Sequence, residues 1–272
     1  MSVITSQQIA KYYSDFQNVD VTFTKDVIRA TLLYAKNVQI RCLGYQWPVL
    51  LYSSSMSSAK VIANIKGPLK EVTSKAKNMV QLRFSFIQKE KTDPITFFIN
   101  SKIVSFVPYN KDQPDLNFIN LVYTNRPPDE LIYRLGTLLE ANASFQQRRE
   151  ERIPATPETL SALGIDPKNV LLTIEHIPRR CIIRDLSFSG MKVIIMGFAQ
   201  FLVNKPATIK LGLTEQDGSV SLSGKVIRFE QVQGRKDLAA FAIQFDEKAI
   251  PAEYKLRISN FLKTIKKSKP QE

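Results

Sequence analysis

Apolar and polar residues interleave through VTFTKDVIRATLLYAKNVQIRCLGYQWPVLLYSS, with Val, Ile, Thr, Leu and Tyr dominating. The texture continues in VIANIKG, MVQLRFSFIQ, PITFFINSKIVSFVPY and NFINLVYT. Successive side chains of a strand point to opposite faces, so such runs predict short, half-buried β-strands. Gly67, Pro68, Pro94 and Pro108 punctuate them. Strands this short and this closely spaced predict a small sheet closed into a barrel, with a short helix before it in TSQQIAKYYSDFQ.

The period then changes. In RPPDELIYRLGTLLEANASFQQRREER, Leu131, Leu135, Leu138 and Phe145 fall on one stripe, flanked by Ile132, Leu139 and Ala141. That spacing predicts a helix. Pro127 and Pro128 suit its start, and Asp129 and Glu130 favour its positive N-terminal end. Asn142 interrupts the stripe and predicts fraying of the last turn. Ile153-Pro154 ends the segment, because a residue before proline avoids helical geometry. The chain divides here into residues 1–142 and 143–272, with the arginine-rich linker assigned to the second half.

The second half repeats the β pattern. A short helix, TPETLSALG, comes first, with Thr156 as cap and Pro157 at its first position. Six strand-like runs follow: VLLTIEHI, RRCIIRDLS, MKVIIM, ATIKLGL, SVSLSGKVIRFE and LAAFAIQF. An amphipathic helix, PAEYKLRISNFLKTIKK, ends the pattern with Leu256, Ile258, Phe261, Leu262 and Ile265 inward. The expected fold is mainly β: two small antiparallel barrels joined by a linker helix. The halves share architecture, but no residue repeat is visible.

Composition narrows the function. The 272 residues are 44% hydrophobic and 23% charged, a globular balance. No apolar run reaches the ~20 residues of a membrane span, and the first residues lack the apolar core of a secretory signal. A soluble, cytoplasmic protein is expected. Cys42 and Cys181 each sit in an apolar run and are expected to be buried free thiols. A net charge of +13 attracts polyanions: nucleic acid, anionic membrane or phosphorylated ligands. His176 is the sole histidine, and no HExxH, CxxC or GxSxG pattern occurs. GSVSLSGKV fails as a phosphate loop, because Gly218 comes one position early and Val226 replaces the magnesium-holding hydroxyl. A binding module without metal or cofactor is therefore expected, not an enzyme.

Two clusters carry chemistry. In QQRREER, Gln146 to Arg152, the residues Arg148 and Arg152 lie four apart. They share a face if the helix continues and line a loop if it unwinds. A guanidinium donates paired, coplanar hydrogen bonds that match phosphate oxygens or the O6/N7 edge of guanine. In DLSFSG, Asp185 and Ser187 lie two apart and face one side of an extended strand. A carboxylate accepts from guanine N1–H and N2–H₂, and a serine both donates and accepts. Gly190 permits either a close backbone approach or a positive φ.

RxxxR ahead of a small barrel, followed by DxSxxG in an early strand, resembles the PilZ domain family over roughly residues 145–267. The resemblance implies a six-stranded antiparallel barrel with a C-terminal helix, and cyclic di-GMP as ligand. It implies that Arg148 and Arg152 wrap the guanine and phosphate groups, with Arg149 and Gln147 assisting. It implies that Asp185, Ser187 and Gly190 form the barrel surface that receives a guanine. The first half is similar in layout to the motif-free first domain of two-domain PlzA-type and flagellar-brake proteins. A receptor of this kind is expected to hold RREER mobile until ligand clamps it. Clamping would change interdomain geometry and signal to a protein partner such as the flagellar motor, affecting motility. The alternative is a basic nucleic-acid-binding barrel protein, regulated by the same ligand or independent of it.

Overall fold

The computed structural model describes residues 5–88, 92–110, 112–197, 200–214, 218–235 and 237–268. The chain forms two compact units, Met1–Leu139 and Glu140–Glu272. The first opens with α1 (Ser6–Phe16), whose cap Thr5 accepts a hydrogen bond from the Gln8 amide. Its strands are β1 (Val21–Thr22), β2 (Gln39–Cys42), β3 (Tyr45–Pro48), β4 (Leu50–Ser54), β5 (Ser58–Asn64), β6 (Met79–Phe86), β7 (Ile95–Pro108) and β8 (Leu116–Tyr123). Helices α2 (Lys25–Thr31) and α3 (Leu69–Lys75) lie between them in sequence. The sheet order is β1-β4-β5-β8-β7-β6-β2-β3. Only Val49 separates β3, at one edge, from β4, next to the other, so the chain itself closes the sheet into a barrel.

Helix α4 (Asp129–Gln147) follows. Leu131, Ile132, Leu135 and Ala141 are fully buried, and Leu138 and Phe145 nearly so. The expected fraying at Asn142 does not occur. Asn142 is exposed, whereas Ala141 and Phe145 still bury apolar surface that holds the last turns.

In the second unit the strands are β9 (Ile153–Pro154), β10 (Ile165–Ile174), β11 (Ile177–Arg180), β12 (Ile182–Leu186), β13 (Gly190–Met196), β14 (Pro206–Leu213), β15 (Ser219–Gln231) and β16 (Leu238–Phe245). They stand in the order β11-β10-β14-β15-β16-β13-β12-β9. The run RRCIIRDLS, expected as one strand, bends at Cys181 into β11 and β12. Its first part pairs with β10 and its second with β13, which closes the ring. Counted as one bent strand, β11 and β12 restore the six-stranded barrel, and β9 is an added edge. Between β9 and β10 the chain forms α5 (Pro157–Ala162), capped by the Thr156 hydroxyl as expected.

The two units share architecture without a residue repeat, as expected, and the likeness extends to strand register. Both sheets have the same connectivity, strand for strand. Val21 pairs with Ser54 where Ile153 pairs with Leu186. The Val49 amide bonds Val38 where the Cys181 amide bonds Val170. A register shift between Leu51 and Ser53 matches one between Ile183 and Asp185. Residue identities have diverged, but backbone register has not.

Helix α6 (Ala252–Ser268) packs on the second barrel through Tyr254, Ile258 and Leu262, four residues apart each time. Leu256 and Phe261 are half-buried, and Ile265, expected inward, is exposed. The true stripe runs through Tyr254, whose hydroxyl donates to the buried Ser187 carbonyl at 2.7 Å. Replacing Tyr254 by Phe leaves that carbonyl unsatisfied, at a cost of about 1–3 kcal/mol. Urea unfolding is expected to show that loss; an unchanged midpoint would remove Tyr254 from the turn's support. Both cysteines are free and buried, and burial pushes the Cys181 thiol up to about 12. Neither thiol is expected to react with a thiol reagent at neutral pH before the chain unfolds. Rapid labelling of the native protein would contradict their burial.

Candidate ligand-binding site

The polar insert DLSFSG is the end of β12 plus the turn into β13. The Ser187 amide donates to the Gly190 carbonyl at 2.8 Å, and the Gly190 amide donates to the Ser187 hydroxyl at 3.1 Å. That hydroxyl also reaches the Gly190 carbonyl at 3.2 Å. Ser187 is fully buried, so its side chain closes the turn and does not face the same solvent as Asp185. Extended geometry ends at Leu186, which is why the two-residue alternation stops there. Of the two roles open to Gly190, the structure uses close approach. A Cβ there would sit 2.5 Å from the Ile243 carbonyl oxygen on β16.

Phe188, in the middle of the turn, points into the core and is fully buried. Its ring meets Phe145 edge-on, with centroids 5.9 Å apart. Phe145 lies three residues before Arg148, so this contact fixes the end of α4 beside the turn. One residue after Arg152, Ile153 enters the sheet opposite Leu186, and Pro154 opposite Asp185. The segment 148–152 contains no apolar residue, as read from the sequence, but anchors bracket it on both sides. The helix stops at Gln147, and the arginines lie in a loop.

Polar contacts among the described residues cross from loop to barrel. Arg152 Nη1 donates to Asp185 Oδ1 at 2.7 Å. The Ser189 hydroxyl donates to Glu150 Oε1 at 3.0 Å. Arg149 pairs with Glu247, beyond the end of β16. The Arg152 and Asp185 side chains are 44% and 23% exposed, so solvent screens their attraction. Burial raises the Tyr254 hydroxyl above its ordinary range, against the opposing charge of Arg152. Arg148 and Gln147 make no side-chain hydrogen bond or ion pair among the described residues.

The structure thus brings Arg152 and Asp185 into contact and sets Arg149 and Arg148 in the same loop. It places Ser187 and Gly190 as builders of the turn. Sequence reasoning missed Phe188, Glu150, Ser189, Glu247 and Tyr254. Phe188 carried a signal, an apolar residue inside a polar insert; the others act across long separations. The first unit carries different side chains at the matching positions. Asp20 and Ser53 occupy the backbone positions of Arg152 and Asp185, and Ser53 donates to the Asp20 carboxylate at 2.8 Å. Ser55 and Ser58 close the matching turn. Here an acid stands where the second barrel presents a guanidinium.

No helix among the described residues is long and apolar enough to cross a membrane. The PilZN3 domain matches residues 7–142, and the PilZ domain matches residues 146–262. A curated relative from Treponema denticola, named cyclic di-GMP binding protein, is 39% identical over 98% of this chain and 85% of its own length. Among solved structures, the Borreliella burgdorferi PlzA protein in complex with c-di-GMP is 22% identical, with a TM-score of 0.43. That comparison covers 94% of this chain and 98% of that one. YcgR from Escherichia coli, also in complex with c-di-GMP, is 12% identical over 89% of this chain and 87% of that one, with a TM-score of 0.28. The chain belongs to the PilZ domain family, with a PilZN3 domain followed by a PilZ domain.

Proposed function

We propose that this chain is a non-catalytic receptor for cyclic di-GMP, which it binds on the second barrel, in the half we take as residues 143–272. The observation that carries the reading is the loop–turn junction. Among the described residues, Arg148 makes no side-chain hydrogen bond or ion pair, Arg149 and Arg152 are held by exposed or half-exposed ion pairs, and Asp185 lies within bonding distance of Arg152. The name of the Treponema denticola relative supports the ligand's identity.

The chemistry follows from exchange. Exposed ion pairs contribute about 0–1 kcal/mol each, so a ligand with two phosphates can displace them cheaply. Arg148 supplies a free guanidinium for a phosphate or a guanine edge. Arg152, released from Asp185 or shared with it, supplies a second. Asp185 then accepts from guanine N1–H and N2–H₂. Ser187 and Gly190 contribute by holding the turn, and Gln147 and Arg149 border the ligand. Because the loop follows directly from α4, which runs into the first unit's sequence, clamping the loop is proposed to change interdomain geometry. The ligand can do so only by binding one arrangement better than another. The proposed recipient of the signal is a protein partner, with the motility apparatus as candidate.

Titration calorimetry with cyclic di-GMP is expected to give saturable heat for the wild type. Arg148→Ala combined with Arg152→Ala is expected to abolish it, and Asp185→Ala to weaken affinity about tenfold or more, the loss of one charged hydrogen bond. No heat in the wild type, or unchanged affinity in both variants, would sink the proposal. Labels placed one on each unit are expected to change energy transfer on ligand addition, and not in the double variant. A constant signal in a protein that binds ligand would rule out the geometric output.

A further inference from the structure

The end of the second barrel away from the loop–turn junction carries a surface that the proposed function does not use. β10 ends there and β11 begins, joined through Glu175 and His176. β13 reaches the same end at Met196, opposite Leu238 at the start of β16. A single 3-10 turn, Gln200–Leu202, comes next in the chain, with Leu202 in the core. An ion pair of 2.7 Å between Lys205 and Glu175 ties this segment to the β10–β11 turn.

Three large apolar side chains project from these separate pieces. Met196 is 74% exposed, Phe201 70% and Ile177 55%. Met196 and Phe201 are the most exposed large apolar side chains among the described residues. Exposed apolar groups gathered in this way mark an interaction surface. Two cations stand with them. An Arg179 guanidinium nitrogen lies 3.7 Å from where a Cβ on Gly197 would sit, beside Met196. Arg180, the next residue, is exposed. Neither arginine makes an ion pair among the described residues. The carboxylates of Glu175 and Asp237, at the same end, are already neutralised by Lys205 and Arg235. The surplus charge here is therefore positive. The barrel does not require this set, because Arg179, Arg180 and Met196 correspond in register to Trp47, Pro48 and Asn64 of the first barrel.

We infer that this end of the second barrel docks on an anionic lipid bilayer. Apolar side chains carried on separate turns suit a surface that deforms around them, and unpaired arginines suit one that is negatively charged. Met196, Phe201 and Ile177 enter the boundary between headgroups and acyl chains. Arg179 and Arg180 meet the lipid phosphates, which accept paired hydrogen bonds from a guanidinium. The loop–turn junction lies at the opposite ends of β12 and β13, so docking leaves it open. The surface shares no residue with that junction, and the inference stands whether or not cyclic di-GMP binds there.

The test is sedimentation of the full chain with vesicles of phosphatidylcholine, alone or with an equal part of phosphatidylglycerol. Binding to the anionic vesicles only is expected. A chain of net charge +13 is drawn to any anionic surface, so the place and depth of contact decide the matter. Met196→Ser with Phe201→Ser leaves the charge unchanged and is expected to weaken binding about tenfold or more. Arg179→Ala with Arg180→Ala is expected to weaken it by a similar factor, at about fivefold for each arginine near an anionic bilayer. Unchanged circular dichroism is expected to confirm the fold of each variant. Depth is read from Phe201→Trp combined with Trp47→Phe, which replaces the chain's single tryptophan. Emission from the introduced indole is expected to shift to the blue on vesicles and to be quenched by brominated acyl chains. No binding to anionic vesicles at low salt would overturn the inference. So would binding untouched by both pairs of substitutions, or an indole that stays in water on the bound protein. Self-association abolished by the serine pair, without vesicle binding, would give the surface to a second copy of the chain and overturn it too.

Discussion

The two-residue pairing of Ile153–Pro154 with Asp185–Leu186 is the constraint on which the candidate site depends. A polar loop of five residues has no packing of its own to hold it anywhere. Pinned into the sheet immediately after Arg152, and by Phe145 against Phe188 just before Arg148, it has little choice of position. The Arg152–Asp185 contact is then a consequence of register more than a cause of it. That ordering matters for function. Strong apolar and backbone contacts fix where the arginines start and end, while weak polar contacts decide what they touch. A site built this way is placed accurately yet can exchange partners at low cost.

The first unit keeps the same frame with different side chains at the matching positions. Its strand connectivity, its bend at Val49 and its serine-closed turn all match the second unit. Changing a guanidinium to the Asp20 carboxylate reverses the local charge, and the Ser53 hydroxyl satisfies that carboxylate internally. An anionic ligand would meet repulsion there. Backbone conservation and site conservation are separate matters in this chain, in keeping with the rule that function resides in particular side chains placed on a fold.

Much of the fold was legible in the sequence because its signals are local. Alternation marked the strands, and Thr156-Pro157 marked the start of a helix that forms where expected. Arg152 and Asp185 were legible as candidate ligand contacts through their motif alone, and their contact with each other was not. Other features were not, for physical reasons. Cys181 reads as one more apolar strand residue, yet the barrel needs a bend there. Ser187 looked outward by alternation, but alternation ends where the strand does. Tyr254 was passed over for Ile265 in the α6 stripe, because its part in the site is a hydrogen bond spanning 67 positions. Nothing local marked the contacts of Glu150 with Ser189 or of Glu247 with Arg149, which span long separations in sequence. The internal repeat escaped because only register, and not residue type, is repeated.

In the proposed function one ligand is held jointly by the arginine loop and the β12–β13 turn of the second barrel. A crystal structure of the full chain with cyclic di-GMP tests it most directly. Ligand density is expected between these elements, with Arg148, Arg152 and Asp185 each within hydrogen-bonding distance of a guanine or phosphate. Ligand bound elsewhere, or bound with these three side chains out of reach, would contradict it.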